Sequence, residues 1–282
     1  MGFSVNSMAG VTSALRHIDS LQRESAPIYE RIATGLKVGD ASDDGRTWAM
    51  AQGLRASHRA LGTTVNSIDL GIGVVETALV ATEGISDLMI EMKEKLVAAT
   101  DETLDDASWR ALMEEYVMLG NQAQRLVENA SFNGANLLEA GASDYSVLVA
   151  AKPDQIMTIA AEDLSDGGGL FDSAFPGGLP QDDSSALTTR PTKTMVDALD
   201  ASIDAVNAAA TRFGVGLKAL NVHRGLVVKQ ADITEQGIGN LVDADLGREK
   251  ARLESAMVRE ELGIKALSIA NRAPRIILQF FQ

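Results

Sequence analysis

The chain sets 25 Lys and Arg against 39 Asp and Glu over 282 residues, a formal net charge of −14 at pH 7, and contains no cysteine. Without Cys there is no disulfide framework, no Cys-ligated zinc or iron–sulfur centre and no thiol nucleophile; an acidic chain is also poorly suited to wrapping nucleic acid or an anionic membrane surface. Hydrophobic residues make up 45% and aromatics only 4%, a balance that favours helices with aliphatic seams over a sandwich or barrel.

The first residues, Met1-Gly2-Phe3-Ser4-Val5-Asn6-Ser7, lack a basic stretch followed by an apolar one, and nowhere does the chain approach the ~18 apolar residues of a membrane span. Taken alone, these features describe a soluble cytosolic protein. An apolar stripe at helical spacing follows, through Leu15, Ile18, Ile28 and Ile32; Pro27 interrupts it, and Gly35 suits the left-handed position after a helix end. Gly39 to Asp44 reads as a loop, with Ser42 or Asp43 as N-cap and Asp44 in the first turn of the next helix.

From there the apolar positions alternate in threes and fours, the mark of packed helices: Leu61, Val65, Ile68, Ile72, Val75, Leu79 and, after a phase slip around Ala81 to Gly84, Ile85, Met89, Met92, Leu96. A helix over 45–99 is about 80 Å long at ~1.5 Å per residue. A compact globule of this size has a radius of gyration of about 19 Å, so the spacing predicts an elongated rod. Thr100 to Asp106 is a turn into a second seam, Trp109, Leu112, Tyr116, Leu119, Ala123, Leu126, Ala130, which Ser131-Phe132-Asn133-Gly134 ends with a turn dipeptide. Residues 145–149 and 155–160 are short strand-like runs joined at Lys152-Pro153-Asp154, and 165–191 is rich in Gly, Pro, Asp and Ser, hence loop. A third seam runs from Val196 through Leu199, Ile203, Val206, Ala210, Phe213, Leu217 and Leu220 to Val227, and a weaker fourth through Leu253, Met257, Ile264 and Leu267. The fold class is therefore mainly α: an elongated antiparallel coiled coil or bundle built from both ends of the chain, with a small β-hairpin region in the middle.

Nothing assembles a catalytic centre. His17, His58 and His223 are isolated, and no zinc-protease, nucleophile-elbow or phosphate-loop pattern occurs. Gly71-Ile72-Gly73 and Gly214-Val215-Gly216 read as small residues in helix interfaces, Asp43-Asp44 and Asp243-Ala244-Asp245 as caps or solvated turns, and residues 248–254 as a solvated helix face.

Five blocks in order carry a family likeness. Arg31-Ile32-Ala33-Thr34-Gly35-Leu36-Lys37 followed by Ala41-Ser42-Asp43-Asp44 resembles the R-[LI]-x-[ST]-G-x-[KR] … A-x-D-[DN] block of bacterial flagellins. Phe132-Asn133-Gly134 with Asn136-Leu137-Leu138 is similar to their F-N-G-x-x-L-L block, and Gln155 to Ile159 with Asp163-Leu164 to the hairpin beyond it. Asp243-Ala244-Asp245 with Glu249 resembles D-A-D-x-x-x-E, and Ala270-Asn271-Arg272-Ala273-Pro274 with Ile277-Leu278 the family's C-terminal tail. The chain departs from the pattern at His17, Asp19 and Pro27, at Arg272 and Arg275, and in its Gln279-Phe280-Phe281-Gln282 end.

The resemblance implies a non-enzymatic subunit of the flagellar filament: a short flagellin of the alphaproteobacterial kind with its outer domains nearly absent. It implies residues 1–33 and 241–282 as an inner-core helix pair, 34–45 as a spoke, 46–138 and 192–240 as outer-core helices, and 139–191 as hairpin and surface loop. Leu15, Ile18, Ile28, Ile32, Ile264, Leu267, Ile277 and Leu278 are the expected inner-core packing residues. Arg31, Gly35, Asp43, Asp44, Phe132, Asn133, Gly134, Asp243, Asp245, Asn271 and Pro274 carry the motifs, and Ser184, Ser185, Thr188 and Thr189 are candidate acceptors for O-linked glycans. The implied partners are copies of itself or other flagellins, the flagellar export apparatus and its chaperone, and hook-associated proteins; no cofactor, metal, nucleic acid or membrane partner is implied. Export through the flagellar route uses no cleaved leader, so the resemblance reverses the cytosolic reading and places the protein in the extracellular filament. A minor or hook–filament junction subunit, and a cytosolic coiled-coil scaffold, are the alternatives.

Overall fold

The computed structural model describes the backbone of residues 9–152, 154–165 and 190–279, and the side chains of residues 12–269 within those ranges. Helices α1 (Ala9–Thr34), α2 (Ala41–Ala99) and α3 (Asp106–Asn129) are followed by strands β1 (Ser131–Phe132), β2 (Ala135–Asn136), β3 (Tyr145–Leu148) and β4 (Ile156–Ile159), then by α4 (Lys193–Val242) and α5 (Leu246–Gln279). Contacts divide the chain into two compact units, 1–58 with 233–282, and 59–232; α2 and α4 contribute to both.

Helix ends follow local chemistry. Asp44 has an extended backbone (φ −159°, ψ 95°), and its carboxylate accepts from the N–H groups of Arg46 and Thr47 and from the Thr47 hydroxyl. Asp44, not Ser42 or Asp43, therefore caps the long part of α2, and these bonds hold its carboxyl below the usual carboxylate range. Asp43 instead accepts from the N–H groups of Gly39 and Asp40 and closes the loop before it. Asp105 caps α3 through the N–H of Ser108. Pro27 does not interrupt α1, which runs through it from Ala9 to Thr34. Residues 131–136, read from sequence as part of the outer-core helical segment, form a small hairpin of their own.

In the unit 59–232, α2, α3 and α4 bury one apolar core together with both hairpins. Lys93 pairs with Asp200, Ser86 donates to Asn207 Oδ1, and Arg224 pairs with Asp69; the rising and falling numbers give α2 and α4 an antiparallel register. The covered stripe of α2 is Leu61, Thr64, Ile68, Gly71, Val75, Ala78, Thr82, Ile85, Met89, Met92, Leu96, Ala99, an unbroken 3–4 alternation. No phase slip occurs at Ala81 to Gly84, because Ala78 and Thr82 carry the seam across it. Thr64 and Thr82 are buried there with their hydroxyls donated to the carbonyls of Ala60 and Ala78, which satisfies them in an apolar setting. On α3, Met113, Gly120 and Val127 are buried, while Leu112, Leu119 and Leu126 flank the seam. On α4 the heptad Leu199, Val206, Phe213, Leu220, Val227 is buried throughout.

Candidate assembly interface

In the unit formed by the two chain ends, α1 and α5 run antiparallel. Gln22 Nε2 donates to Glu260 Oε1 at 3.1 Å, and Arg259 pairs with Glu24 at 3.3 Å. A Cβ on Gly263 would lie 3.4 Å from Ile18 Cγ1. Ile18, Leu21, Ile28 and Ile32 form the inward stripe of α1; Leu253, Ala256, Gly263 and Leu267 form that of α5. Leu15 and Ile264, expected in these seams, instead stand 50% and 52% exposed, as does Met257 at 52%. Ala256 and Gly263 take the inward positions on α5 because small residues let the two backbones approach, and the bulky neighbours are turned outward. Tyr29, Val258, Leu262 and Ile269 are bare as well.

The two ends are locked where α1 meets the start of α5. Gly35, in the left-handed region at φ +72°, donates to the Arg31 carbonyl and accepts from the N–H of Ala244, and the N–H groups of Lys37 and Val38 both reach the carbonyl of Val242. Leu36 bridges Asp243, above a small core of Val38, Ala51 and Val242 with Trp48 and Ile238. Asp245 caps α5 through the N–H of Arg248. Glu249, inside the run read from sequence as a solvated face, is only 5% exposed. Its Oε1 accepts from Arg252 Nη1 at 2.7 Å with Arg31 Nη1 3.9 Å away, and its Oε2 has no hydrogen-bond partner among the described residues. A buried acid held by one cation from each chain end is a lock only the folded pair can form.

The central motif residues make the second constellation. Asn133 (φ 50°) and Gly134 (φ 79°) both occupy the left-handed region, as a two-residue hairpin of type I′ requires. Asn136 donates through Nδ2 to the carbonyl of Val127 at the end of α3 and accepts from the N–H of Leu138, so one buried amide ends the helix and fixes the chain beyond it. Leu137 and Leu138 are buried. The hairpins seat on glycines: a Cβ on Gly73 would come within 2.8 Å of the Phe132 ring, one on Gly71 within 2.5 Å of Val147 Cγ2, and one on Gly216 within 3.1 Å of Ile159 Cδ1.

The structure thus brings Arg31, Gly35, Asp243 and Asp245 together at the end-to-end lock, sets Asp43 and Asp44 in the loop entering α2, and places Phe132, Asn133 and Gly134 on the hairpin. Asn271, Pro274, Ile277 and Leu278 fall within α5, but their side chains lie outside the described residues, as do Ser184, Ser185, Thr188 and Thr189 altogether. Sequence reasoning missed the small and polar seam members Thr64, Thr82, Ala256 and Gly263; the signal available for them was the 3–4 count itself, carried through small residues. Among the described residues no three His, Asp or Glu side chains converge to hold a metal, and no helix is long and apolar enough to cross a membrane. What the surface offers is bare apolar side chains on paired helices, which suits association with further protein.

Residues 5–143 match the model of the bacterial flagellin N-terminal helical region, and residues 196–281 that of the C-terminal helical region. Flagellin FljM of Caulobacter vibrioides is 34% identical over 280 residues, covering 99% of this chain and 98% of its own. A flagellin of Brucella melitensis is 27% identical over 294 residues, covering 99% of each. Among solved structures, a flagellar hook-associated protein of Vibrio parahaemolyticus superposes with a TM-score of 0.57 at 14% identity, covering 71% of this chain and 100% of its own; that likeness is one of fold.

Proposed function

The chain belongs to the bacterial flagellins, and from that premise we propose that it is a structural subunit which polymerises into the helical filament of the flagellum and works there as part of a mechanical propeller. The observation that carries this reading is the pairing of the two chain ends. Motif residues more than 200 positions apart, Arg31 and Gly35 with Ala244 and Glu249, meet in one lock, and the helices they join leave Leu15, Tyr29, Val258, Leu262, Ile264 and Ile269 uncovered. A helix pair with one stripe buried and another bare is marginal alone and gains from neighbours that cover it.

In this reading 1–33 with 241–282 forms the inner core, 34–45 the spoke, and 46–138 with 192–240 and the hairpins the outer core. The protein is exported unfolded through the flagellar route with the help of a chaperone, is capped and joined by hook-associated proteins, and resides outside the cell. It performs no catalysis. The test is electron microscopy of cells that express this flagellin alone, with fractionation of sheared filaments: filaments containing the protein are expected. A protein confined to the cytosol and absent from sheared material would refute the reading.

A further inference from the structure

Charge along this chain is segregated between two helices. Residues 60–92, within α2, hold no Lys, Arg or His and carry Asp69, Glu76, Glu83, Asp87 and Glu91; residues 205–231, within α4, hold no Asp or Glu and carry Arg212, Lys218, His223, Arg224 and Lys229. Packing inside the subunit uses only part of this: Arg224 pairs with Asp69, and Arg212 with Glu162. Glu76, Glu83, Asp87 and Glu91 on one helix, and Lys218 and Lys229 on the other, are exposed and make no salt bridge among the described residues.

These charges lie on ordered stripes. The exposed positions of α2 include Glu76, Val80, Glu83, Asp87, Ile90, Glu94 and Val97, a second 3–4 alternation on the side of the helix away from its buried seam. It borders a groove of about 630 Å³ lined by Gly73, Val80, Gly84, Leu126 and Phe132. The exposed side of α4 runs Val215, Lys218, Val222, Leu226, Lys229. Both stripes have the spacing by which helices pack at shallow angles; each interleaves exposed apolar residues with charges, and the charges of the two are opposite.

Resting on the filament reading, we infer that the acidic outer face of α2 on one subunit receives the basic outer face of α4 on a second copy of the chain, with Val222 and Leu226 entering the groove beside Val80 and Phe132. The two faces differ, so each contact leaves one free face of each kind at either end. A heterologous contact of this sort propagates into an open helix when its rotation does not close a ring, where a self-complementary one would stop at a dimer. Opposite charges steer the encounter and reject α2-to-α2 and α4-to-α4 pairing, in which like charges would meet.

The experiment uses full-length protein elongating from sheared fragments of its own filaments, with the critical concentration read by sedimentation and monomer helicity by circular dichroism. Reversing one face (Glu76→Lys with Glu83→Lys and Asp87→Lys) or the other (Lys218→Glu with Lys229→Glu) is expected to raise the critical concentration at least about tenfold. Both reversals in one chain, or an equimolar mixture of the two variants, are expected to return it to within about threefold of wild type. Singly reversed variants that elongate like wild type would show that another partner, or none, covers these faces and would overturn the inference. So would a doubly reversed chain that folds normally yet fails to elongate. Wild-type protein that never elongates overturns the filament reading itself, and the inference with it.

Discussion

The seating of hairpin β3–β4 on α2 gives a test in which one substitution changes sign with its surroundings. Gly71 and Gly62 are both interior to α2, and replacing either with Ala removes the backbone freedom of glycine, a gain of about 1 kcal/mol. At Gly62 the added Cβ meets nothing within 4 Å, so Gly62→Ala is expected to stabilise by about that amount. At Gly71 the Cβ would stand 2.5 Å from Val147 Cγ2 and 3.2 Å from Cγ1. Val147 is fully buried, its branched side chain has little rotamer freedom, and its strand is held in register opposite Met157. Overpacking of this kind costs about 1–3 kcal/mol, and so close a contact belongs to the upper half of that range. The net effect of Gly71→Ala is therefore a loss of about 1–2 kcal/mol, and the two variants should differ by about 2–3 kcal/mol. Urea titration of the monomer followed by far-ultraviolet circular dichroism measures both. In thermal melts a separation of roughly 5–10 °C is expected for a chain of this size. Pairing Gly71→Ala with Val147→Ala should recover part of the loss. If Gly71→Ala stabilises as much as Gly62→Ala, the hairpin does not sit where it is described.

Removing the buried carboxylate by Glu249→Ala should destabilise the α1–α5 pair by about 1–3 kcal/mol, read on assembled filaments as faster proteolysis in residues 9–34 with no change in the hairpins. Burial pushes the Tyr116 phenol above its ordinary value of 10, so the unfolded chain ionises first; stability is intact below pH 10 and falls as pH rises beyond it, and Tyr116→Phe should show a shallower alkaline loss in its urea midpoint. Amides from Leu15 to Ile32 are expected to exchange freely in soluble monomer and to become protected in the polymer, an expectation that strong protection in the monomer would defeat. Glycan attachment at Ser184, Ser185, Thr188 or Thr189 predicts an intact mass above the 29.8 kDa of the bare chain, and a mass equal to it would exclude the modification.

Features written in local chemistry were legible before the structure. Gly35 after α1, the turn at Asn133-Gly134 and the capping role of Asp245 each follow from the conformational limits of one or two residues. The long α2 and the strand pair near 145 and 156 also followed from spacing, whereas Gly71, Gly73 and Gly216, expected in helix interfaces, receive the hairpins instead, and a Cβ on Gly214 meets nothing within 4 Å among the described residues. On α2 and α5 the seams were misread at positions where a small residue holds the inward place. Large apolar side chains such as Val65, Ile72, Leu79 and Met257 draw the eye, but the covered line passes through Thr64, Gly71, Ala78 and Ala256, because close backbone approach needs little side chain. Glu249 was hidden for a different reason. Its neighbours in sequence are alternating charges, and the arginine that shares its buried site stands at position 31, far outside any local window.

The antiparallel pairing of α1 with α5 also has a consequence in time. Between the end of α1 at Thr34 and the start of α5 at Leu246 lie about 210 residues, which a ribosome adding about 5–20 residues per second takes roughly 10–40 s to supply. Throughout that delay Leu21 and Ile28 have no partner within the growing chain, and any surface that meets them first competes with the correct one. The length of the middle of the protein therefore acts as a clock on the exposure of its beginning, and a chain with a short middle shortens the wait.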